Sequence, residues 1–246
     1  ALPAEKSLTR WGQVGLDKHS GNFNRCDLLI DPSNGSTTVD VVFELVLPNP
    51  GNDGTVSSTE CDRNIPHSDQ FAVDITVKYQ SDGTGSDLCQ MADAAKAADV
   101  TALDKGPLPP RTPFIAGSLA THHACELLDT PALTTARVVD ATPPSQLWNW
   151  QCRWGDGDRT VNLRFDQGTP SSANDGKLIS LDSRLAYVQA DGDGGGGNCL
   201  VQIVYRTLPG SDVSELVHLV LNGTDSSEAL CAPATQLALD VVSHLR

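Results

Sequence analysis

"FAVDITVKY", residues 71–79, alternates apolar and polar side chains along its whole length. Apolar residues occupy the odd positions from 71 to 79, and the even positions carry Asp74, Thr76 and Lys78 between them. A period of two is typical of a strand with one buried face in an antiparallel sheet. Similar patterns predict further strands at 38–47, 160–166, 184–189, 199–206 and 215–221.

Two stretches have helical periodicity instead, one at the end of each half of the chain. Residues 86–103 begin with Ser86 or Asp87 as a cap, and residues 226–245 repeat apolar side chains at helical spacing. Pro233 is then expected in the first turn of its helix, where a missing N–H costs little. A shorter helix is expected with Thr130 as its cap and Pro131 at its first position.

These elements predict an α+β fold of two units, each a twisted antiparallel sheet with a C-terminal helix tied to it by a disulfide. "DKGPLPPRTPFIAG", residues 104–117, carries four prolines and predicts a stiff connector. We therefore expect a first unit at 1–105, a linker at 106–117 and a second unit at 118–246.

The cysteines follow a partial repeat of residues 8–103 in residues 183–245. In both, a loop leads to a cysteine and strands, and a Leu-Cys pair later opens a helix. The repeat predicts the disulfides Cys26–Cys89 and Cys199–Cys231, and Cys125–Cys152 is the third pair. Cys61 is left over, either free, or bonded between two chains, or bonded to Cys26.

The charge and the cysteines restrict where the protein acts. The formal net charge of −14 disfavours nucleic acid and anionic lipid as partners. Seven cysteines without a CxxC motif indicate disulfides, which persist outside the cytosol, so an extracytoplasmic location is expected. No transmembrane run is present, and direct membrane insertion by this segment is not expected.

Three of the four tryptophans crowd into "LWNWQCRW", residues 147–154. On one strand, Trp148, Trp150 and Trp154 would share a side with Cys152 and form a core ridge, with Trp150 the most buried. Trp154 precedes "GDGDR" (155–159) and would be the ring that a ligand reaches, with Arg153 and Arg159 as its polar partners.

No catalytic motif, cofactor motif or metal site is recognised. "GDGDR" and "DGDGGGG" (191–197) pair acids with glycines, but neither reaches the bidentate glutamate of a calcium loop, so both predict turns. His122 and His123 lie beside Cys125 without acidic partners in a metal-binding pattern, which predicts a solvated loop.

The second half resembles a known group of proteins. "CELLDTPALT" (125–134), "CRW" (152–154), "CLVQIVY" (199–205) and "LCAPATQLALDVVSHL" (230–245) resemble actinobacterial extracytoplasmic domains found in envelope lipoproteins and in the outer sensor regions of membrane serine/threonine kinases. The resemblance covers about residues 118–246. The first unit lacks the front portion of the pattern and carries an insertion around Cys61.

The resemblance implies location and a binding or sensing role, and it brings no catalytic residue. The sequence thus predicts a non-catalytic module for a small-molecule, glycan or lipid ligand of the cell envelope, with Cys61 able to link an oligomer. A hydrolase with acidic residues that no motif identifies, or a structural scaffold of an envelope complex, are the alternatives.

Overall fold

The chain divides into two compact units, 1–113 and 114–246. The computed structural model describes residues 3–17, 23, 25–32, 37–46, 56–66, 71–80, 87–105, 114–139, 145–147, 149–155, 158–193 and 195–245. The boundary lies inside the predicted linker, of which residues 106–113 are outside the described residues.

The first unit is a five-stranded antiparallel sheet with two helices. Its strands lie in the order β1-β2-β3-β5-β4. Its elements are α1 (Pro3–Leu8), β1 (Gly12–Leu16), β2 (Arg25–Pro32), β3 (Val39–Val46), β4 (Glu60–Pro66), β5 (Ala72–Tyr79) and α2 (Leu88–Asp104).

The core of the first unit lies between α2 and one face of this sheet. Ile75 and Val77, from the alternating stretch that predicted the strand, are fully buried and cluster with Met91 and Ala95 of α2. The other face of β5 carries Thr76 and polar neighbours, so the alternation places its apolar side against the helix.

The second unit has a seven-stranded antiparallel sheet in the order β6-β7-β8-β12-β11-β10-β9. Two 3₁₀ turns (Leu119–Thr121 and Ala124–Glu126) come first. They are followed by α3 (Thr130–Thr135), β6 (Ser145–Leu147), β7 (Gln151–Trp154), β8 (Arg159–Gly168), β9 (Lys177–Leu181), β10 (Arg184–Ala190), β11 (Asn198–Thr207), β12 (Ser214–Gly223) and α4 (Ser227–His244).

The predicted fold class is confirmed: both units are α+β, and each ends in a helix joined to a strand by a disulfide. All six strands expected from the sequence are present as β3, β5, β8, β10, β11 and β12, and α2 and α4 occupy the two predicted helical stretches.

The predicted cap of α3 and the predicted place of Pro233 in α4 are wrong. Asp129 is the N-cap of α3, and its carboxylate accepts the Ala132 N–H at 2.8 Å, so Thr130 is already helical. Ser226 caps α4, which places Pro233 in the second turn and inside the helix. There the proline lacks the N–H that would bond to the Ala229 carbonyl.

The disulfides correct one predicted pair. The bridges are Cys61–Cys89, Cys125–Cys152 and Cys199–Cys231, and Cys26 is free. Cys26–Cys89 is therefore wrong, and Cys61 is bonded within the chain and cannot link an oligomer.

Strand order explains the error. Cys89 opens α2, which packs over β4 and β5. Cys61 lies on β4, and its Cα is 5.2 Å from that of Cys89. Cys26 lies on β2, three strand spacings from β4 or roughly 14 Å, beyond the Cα separation that a disulfide spans.

The two units do repeat each other, in a different register from the one the sequence suggested. Without the β9-β10 hairpin, the second sheet reads β6-β7-β8-β12-β11, which matches β1-β2-β3-β5-β4 strand for strand. In both, a short helix contacts the C-terminal helix, α1 on α2 and α3 on α4. The bonded cysteines Cys61 and Cys199 both lie on the strand before the last one.

The registers also assign a counterpart to Cys26. In the first sheet, the row of cross-strand pairs that contains Cys61 runs through Val41 to Leu28. In the second sheet, the row that contains Cys199 runs through Val161 to Trp154. Cys26 and Cys152 come two residues before Leu28 and Trp154 on β2 and β7, respectively. Cys26 thus occupies the position that Cys152 holds in the second unit.

Residues 114–117 belong to the second unit and not to a linker. The Ala116 carbonyl accepts a hydrogen bond from Arg206 at 3.2 Å, and the ring of Phe114 meets that of Trp150 edge-on at 6.1 Å. Buried Glu215 then holds the next turn, because it accepts from the Ser118 hydroxyl and from Arg206.

Among the helices of the described residues, none is long and apolar enough to cross a membrane.

Candidate functional site

The ring predicted to meet a ligand, Trp154, is part of the core. It is 3% exposed and lies on β7 two residues after Cys152, which is fully buried. The prediction that a ligand reaches Trp154 is therefore wrong. The ring lies on the same side of β7 as Cys152 and its disulfide to Cys125, which places it in the core.

The tryptophan-rich stretch is a hairpin and not one strand. β6 ends at Leu147 and β7 begins at Gln151, so Trp150 lies in the turn. Trp150 is half-buried, with its indole N–H donated to the Ala120 carbonyl at 3.2 Å, so it is not the most buried of the rings. Trp148 lies outside the described residues.

The two predicted arginine partners do not converge. Arg153 is exposed and pairs with Asn162, on the sheet face opposite to Trp154. Arg159 lies at the start of β8, where it donates to the Ala136 carbonyl at 2.8 Å and forms an ion pair with Asp225. Arg159 is a structural contact between β8 and the loop before α4.

Apart from Arg159, the described residues of the two acidic, glycine-rich stretches lie in connections between strands, and Asp156, Gly157 and Gly194 lie outside the described residues. Gly155, at a φ of +79°, ends β7 and opens the connection to β8. In the connection from β10 to β11, the Asn198 side chain accepts from the Asp193 N–H and donates to the Gly195 carbonyl. The described residues contain no group of three or more His, Cys, Asp or Glu side chains placed to hold a metal ion.

Two cavities are formed by residues that the structure describes, and the first is a groove between α3 and α4. It encloses about 430 Å³, within the range of small-molecule sites. Its wall from α3 and its flanks consists of Asp129, Pro131, Ala132, Thr135 and Ala136. Its wall from α4 consists of Pro233, Gln236, Leu237 and Asp240.

Two features of the sequence position this lining, the cap of α3 by Asp129 and the proline inside α4. The capping role of Asp129 fixes the start of α3 and holds its carboxylate at the groove. Pro131 and Pro233 contribute rings that cannot change rotamer, one from each helix. Leu237 follows one turn after Pro233 and anchors α4 in the core. The groove is thus preformed by rigid groups.

Two carboxylates give the groove its charge. Burial raises the pKa of Asp240 and the charge of Asp129 raises it further, while His244 and the backbone N–H of Asp129 oppose this. The Asp240 Oδ2 atom is inaccessible to solvent and has no hydrogen-bond partner. His244 Nδ1 lies 4.0 Å from it. The Asp240 side chain as a whole is 28% exposed, so a ligand in the groove meets its accessible part and not Oδ2.

A second cavity, of about 510 Å³, lies at the β9–β10 turn beside the end of α4. Asp182, Ser183 and Arg184 are its polar lining residues. The guanidinium of Arg184 already donates to the Tyr205 and Leu245 carbonyls at 2.7 and 3.1 Å, and it stacks over the Tyr205 ring. These contacts leave little donor capacity for a ligand, so the groove is the stronger candidate site.

A polar network around His218 occupies the sheet face opposite to α4. The Gln202 carbonyl oxygen accepts from the Ser171 N–H at 2.7 Å, so its amide nitrogen donates to His218 Nε2 at 3.0 Å. His218 Nδ1 lies 3.2 Å from the Arg164 guanidinium and 3.4 Å from the Asp166 carboxylate. Burial, with Arg164 adding to it, lowers the pKa of His218 to about 3.

The histidines before Cys125 show no site. His122 is half-buried with its ring edge-on to Tyr205, and His123 is exposed at the start of a 3₁₀ turn. Both helices that form the groove were predicted from the sequence, but no function was predicted for them. The one feature of the sequence that points to the groove is Pro233 on α4, because α4 packs against α3, a helix that begins with its own proline, Pro131.

Comparisons with known proteins give no family. No protein-family model matches the chain, and no curated protein matches it. Among solved structures, a superposition on DynU16, a protein of the dynemicin biosynthetic locus, covers 99% of this chain and 95% of that one. It has 12% identity and a TM-score of 0.17. A value this low does not show a shared fold.

Proposed function

We propose that this chain is an extracytoplasmic, non-catalytic module that binds or senses a small ligand in the groove between α3 and α4. The observation that carries the proposal is the groove itself, preformed, of ligand size and lined by both apolar and carboxylate groups. The resemblance to envelope lipoproteins and to kinase outer regions agrees with such a role.

The disulfides support the proposed location. Six of the seven cysteines form three bridges within the chain. In the chain-entropy model each bridge closes a loop that stabilises the fold by about 3–4 kcal/mol. Disulfides form and persist in oxidising compartments, whereas thiols in the cytosol are kept reduced.

The alternative of a hydrolase has one specific observation behind it, the contact between His218 and Asp166. In a general base, one ring nitrogen must be free to take a proton. Here Nδ1 is in contact with both Arg164 and Asp166, Nε2 accepts from Gln202, and the lowered pKa makes the imidazole a weak base. This arrangement supports a structural role for His218.

Binding is tested with the full chain, oxidised and ¹⁵N-labelled, by NMR titration. The probes are hexylammonium, hexanoate, hexyl glucoside and N-acetylglucosamine, which represent cationic, anionic, lipid-like and glycan chemistry. We expect at least one probe to shift the amide signals of Ala132, Gln236 and Leu237. Ala132→Trp fills the groove and should remove the response.

Two results would overturn the proposal. The first is a panel in which no probe shifts the groove signals, or shifts them equally in Ala132→Trp. The second is hydrolysis of p-nitrophenyl ester or glycoside substrates above background that disappears in His218→Gln, since that would establish a catalytic histidine.

A further inference from the structure

We propose that the groove between α3 and α4 selects a small organic cation, an ammonium group carried on a short apolar body. This inference rests on the proposed function and adds the chemical class of the ligand. It is carried by the placement of Asp129 and Asp240 beside apolar walls.

The charge of the lining has one sign. Asp129 and Asp240 both line the groove, and none of the described residues that line it is Lys or Arg. The nearby imidazole of His244 lies 4.0 Å from Asp240 and hydrogen-bonds to the Asp240 backbone carbonyl at 3.0 Å, so its Nδ1 atom is already engaged. An anionic ligand would meet two uncompensated carboxylates there.

The two carboxylates have different roles toward a bound ammonium. One oxygen of Asp129 is committed to the Ala132 N–H, so this group contributes charge and positioning. The Asp240 Oδ2 atom is closed to solvent, but the Asp240 side chain as a whole is 28% exposed and lines the groove. Asp240 is therefore the residue that we expect to contact the ammonium directly.

The remaining lining favours methylene groups over more charge. Pro131 and Pro233 present rigid apolar rings, and Leu237 is buried behind them. Rigid walls lose no rotamer freedom when a ligand binds, which lowers the entropic cost of association. A bare metal ion would gain nothing from these walls and would have only two carboxylates, fewer than a hard cation requires.

The test compares three probes of the same length on the full, oxidised chain by NMR titration. Hexylammonium, hexanol and hexanoate differ only in the head group. We expect hexylammonium to shift the signals of Ala132, Gln236 and Leu237 with an affinity at least tenfold higher than that of hexanol. Hexanoate should give no saturable shift.

Matched variants locate the charge. Asp240→Asn should weaken hexylammonium at least tenfold and leave hexanol unchanged. Asp129→Ser keeps a capping oxygen for α3 while it removes the charge, and it should weaken hexylammonium several-fold. Glu228→Gln removes the same charge from an exposed position of α4 outside the groove and should have no effect.

The outcomes separate this inference from the proposed function. If hexanol or hexanoate binds the groove as tightly as hexylammonium, the groove binds ligands but cation selection is overturned. Loss of hexylammonium binding in Glu228→Gln to the same extent as in Asp240→Asn would also overturn it, as would competition by millimolar Ca²⁺. If a lysine-containing peptide displaced hexylammonium and bound far more tightly, the natural ligand would be a protein side chain and the small-molecule inference would fail.

Discussion

At the scale of single residues, Trp154 is a core residue whose removal should be costly. Trp154→Ala is expected to lower the free energy of unfolding by about 3–5 kcal/mol, because the ring is 3% exposed beside a disulfide. The adjacent Arg153→Ala, on an exposed side chain, should change it by about 0.5 kcal/mol or less. Urea unfolding measures both, and equal small effects would contradict the core assignment.

Cys26 should be the one titratable thiol of the chain. Burial raises the pKa of this thiol, and the charges of Asp27 and Asp99 raise it further, so little thiolate exists at neutral pH. We expect slow reaction with a thiol reagent in the native state and one equivalent after unfolding without reductant. Cys26→Ser should give none, and more than one equivalent would mean that a bridge is open.

Asp40 makes the first unit sensitive to pH. Burial, and then the charge of Asp27, raises the pKa of Asp40 from 3.8 to about 6, against the opposing charge of Lys78. Asp40 is 7% exposed, and its Oδ1 atom has no hydrogen-bond partner. The folded state therefore holds the proton more tightly, and the stability it gives is present below about pH 4 and lost as pH rises through 6.

Asp40→Asn removes this loss. At pH 7.5 we expect the variant to be more stable than the wild type by about 1–3 kcal/mol, and at pH 4 the difference should nearly vanish. Hydrogen exchange of β3 and β5 amides, compared between the two proteins at each pH, reports on this unit. A variant less stable than the wild type at pH 7.5 would show that the ionised carboxylate stabilises the fold.

At the scale of secondary-structure elements, the sequence predicted the strands whose own residues carry a clear local pattern. β5 and β8 have a clear period of two and were found where predicted, and β11 and β12, which are apolar runs buried on both faces over most of their length, were found there too. β4 was missed because "ECDRNIP" is mostly polar, with Arg63 in the same row as buried Ile75. Only the pairing with β5 makes this segment a strand.

The same limit applies to the disulfides and to the candidate site. Cys26 and Cys61 each occupy the second position of a strand, and only strand order decides which one reaches Cys89. Likewise, Asp129 and Asp240 are far apart in sequence and meet only because α3 packs on α4. Local patterns contain no information about such contacts.

Pro233 destabilises helix α4, because it lies inside the helix, and it also forms part of the groove wall. Pro233→Ala restores the N–H that can bond to the Ala229 carbonyl, and we expect it to stabilise the second unit by about 1–3 kcal/mol. It also removes one rigid wall of the groove, so hexylammonium binding should weaken. Thermal unfolding and NMR titration of the same variant measure the two effects, and Ala232→Gly, at an exposed neighbouring position, should destabilise without altering binding.

At the scale of the whole molecule, the two units share one strand order and differ in what has been added. The second unit carries the β9-β10 hairpin and a bridge at Cys152, whereas its counterpart Cys26 is free. The second unit also contains the groove. The additions therefore occur together in the second unit.

This division predicts that residues 114–246 fold and bind without the first unit. The segment contains a complete seven-stranded sheet, its covering helix and two of the three disulfides, and its length is ordinary for a domain. Expressed alone in an oxidising compartment, it should unfold cooperatively and retain the Ala132 and Leu237 shifts with hexylammonium.

Starting the fragment at residue 118, the boundary expected from the sequence, is the matched comparison. It removes the Ala116 carbonyl that Arg206 contacts and the Phe114 ring that packs on Trp150, so it should be less stable than the 114–246 fragment. Circular dichroism during heating compares the two fragments. If the 114–246 fragment failed to unfold cooperatively although both bridges had formed, the second unit would require the first one for its stability.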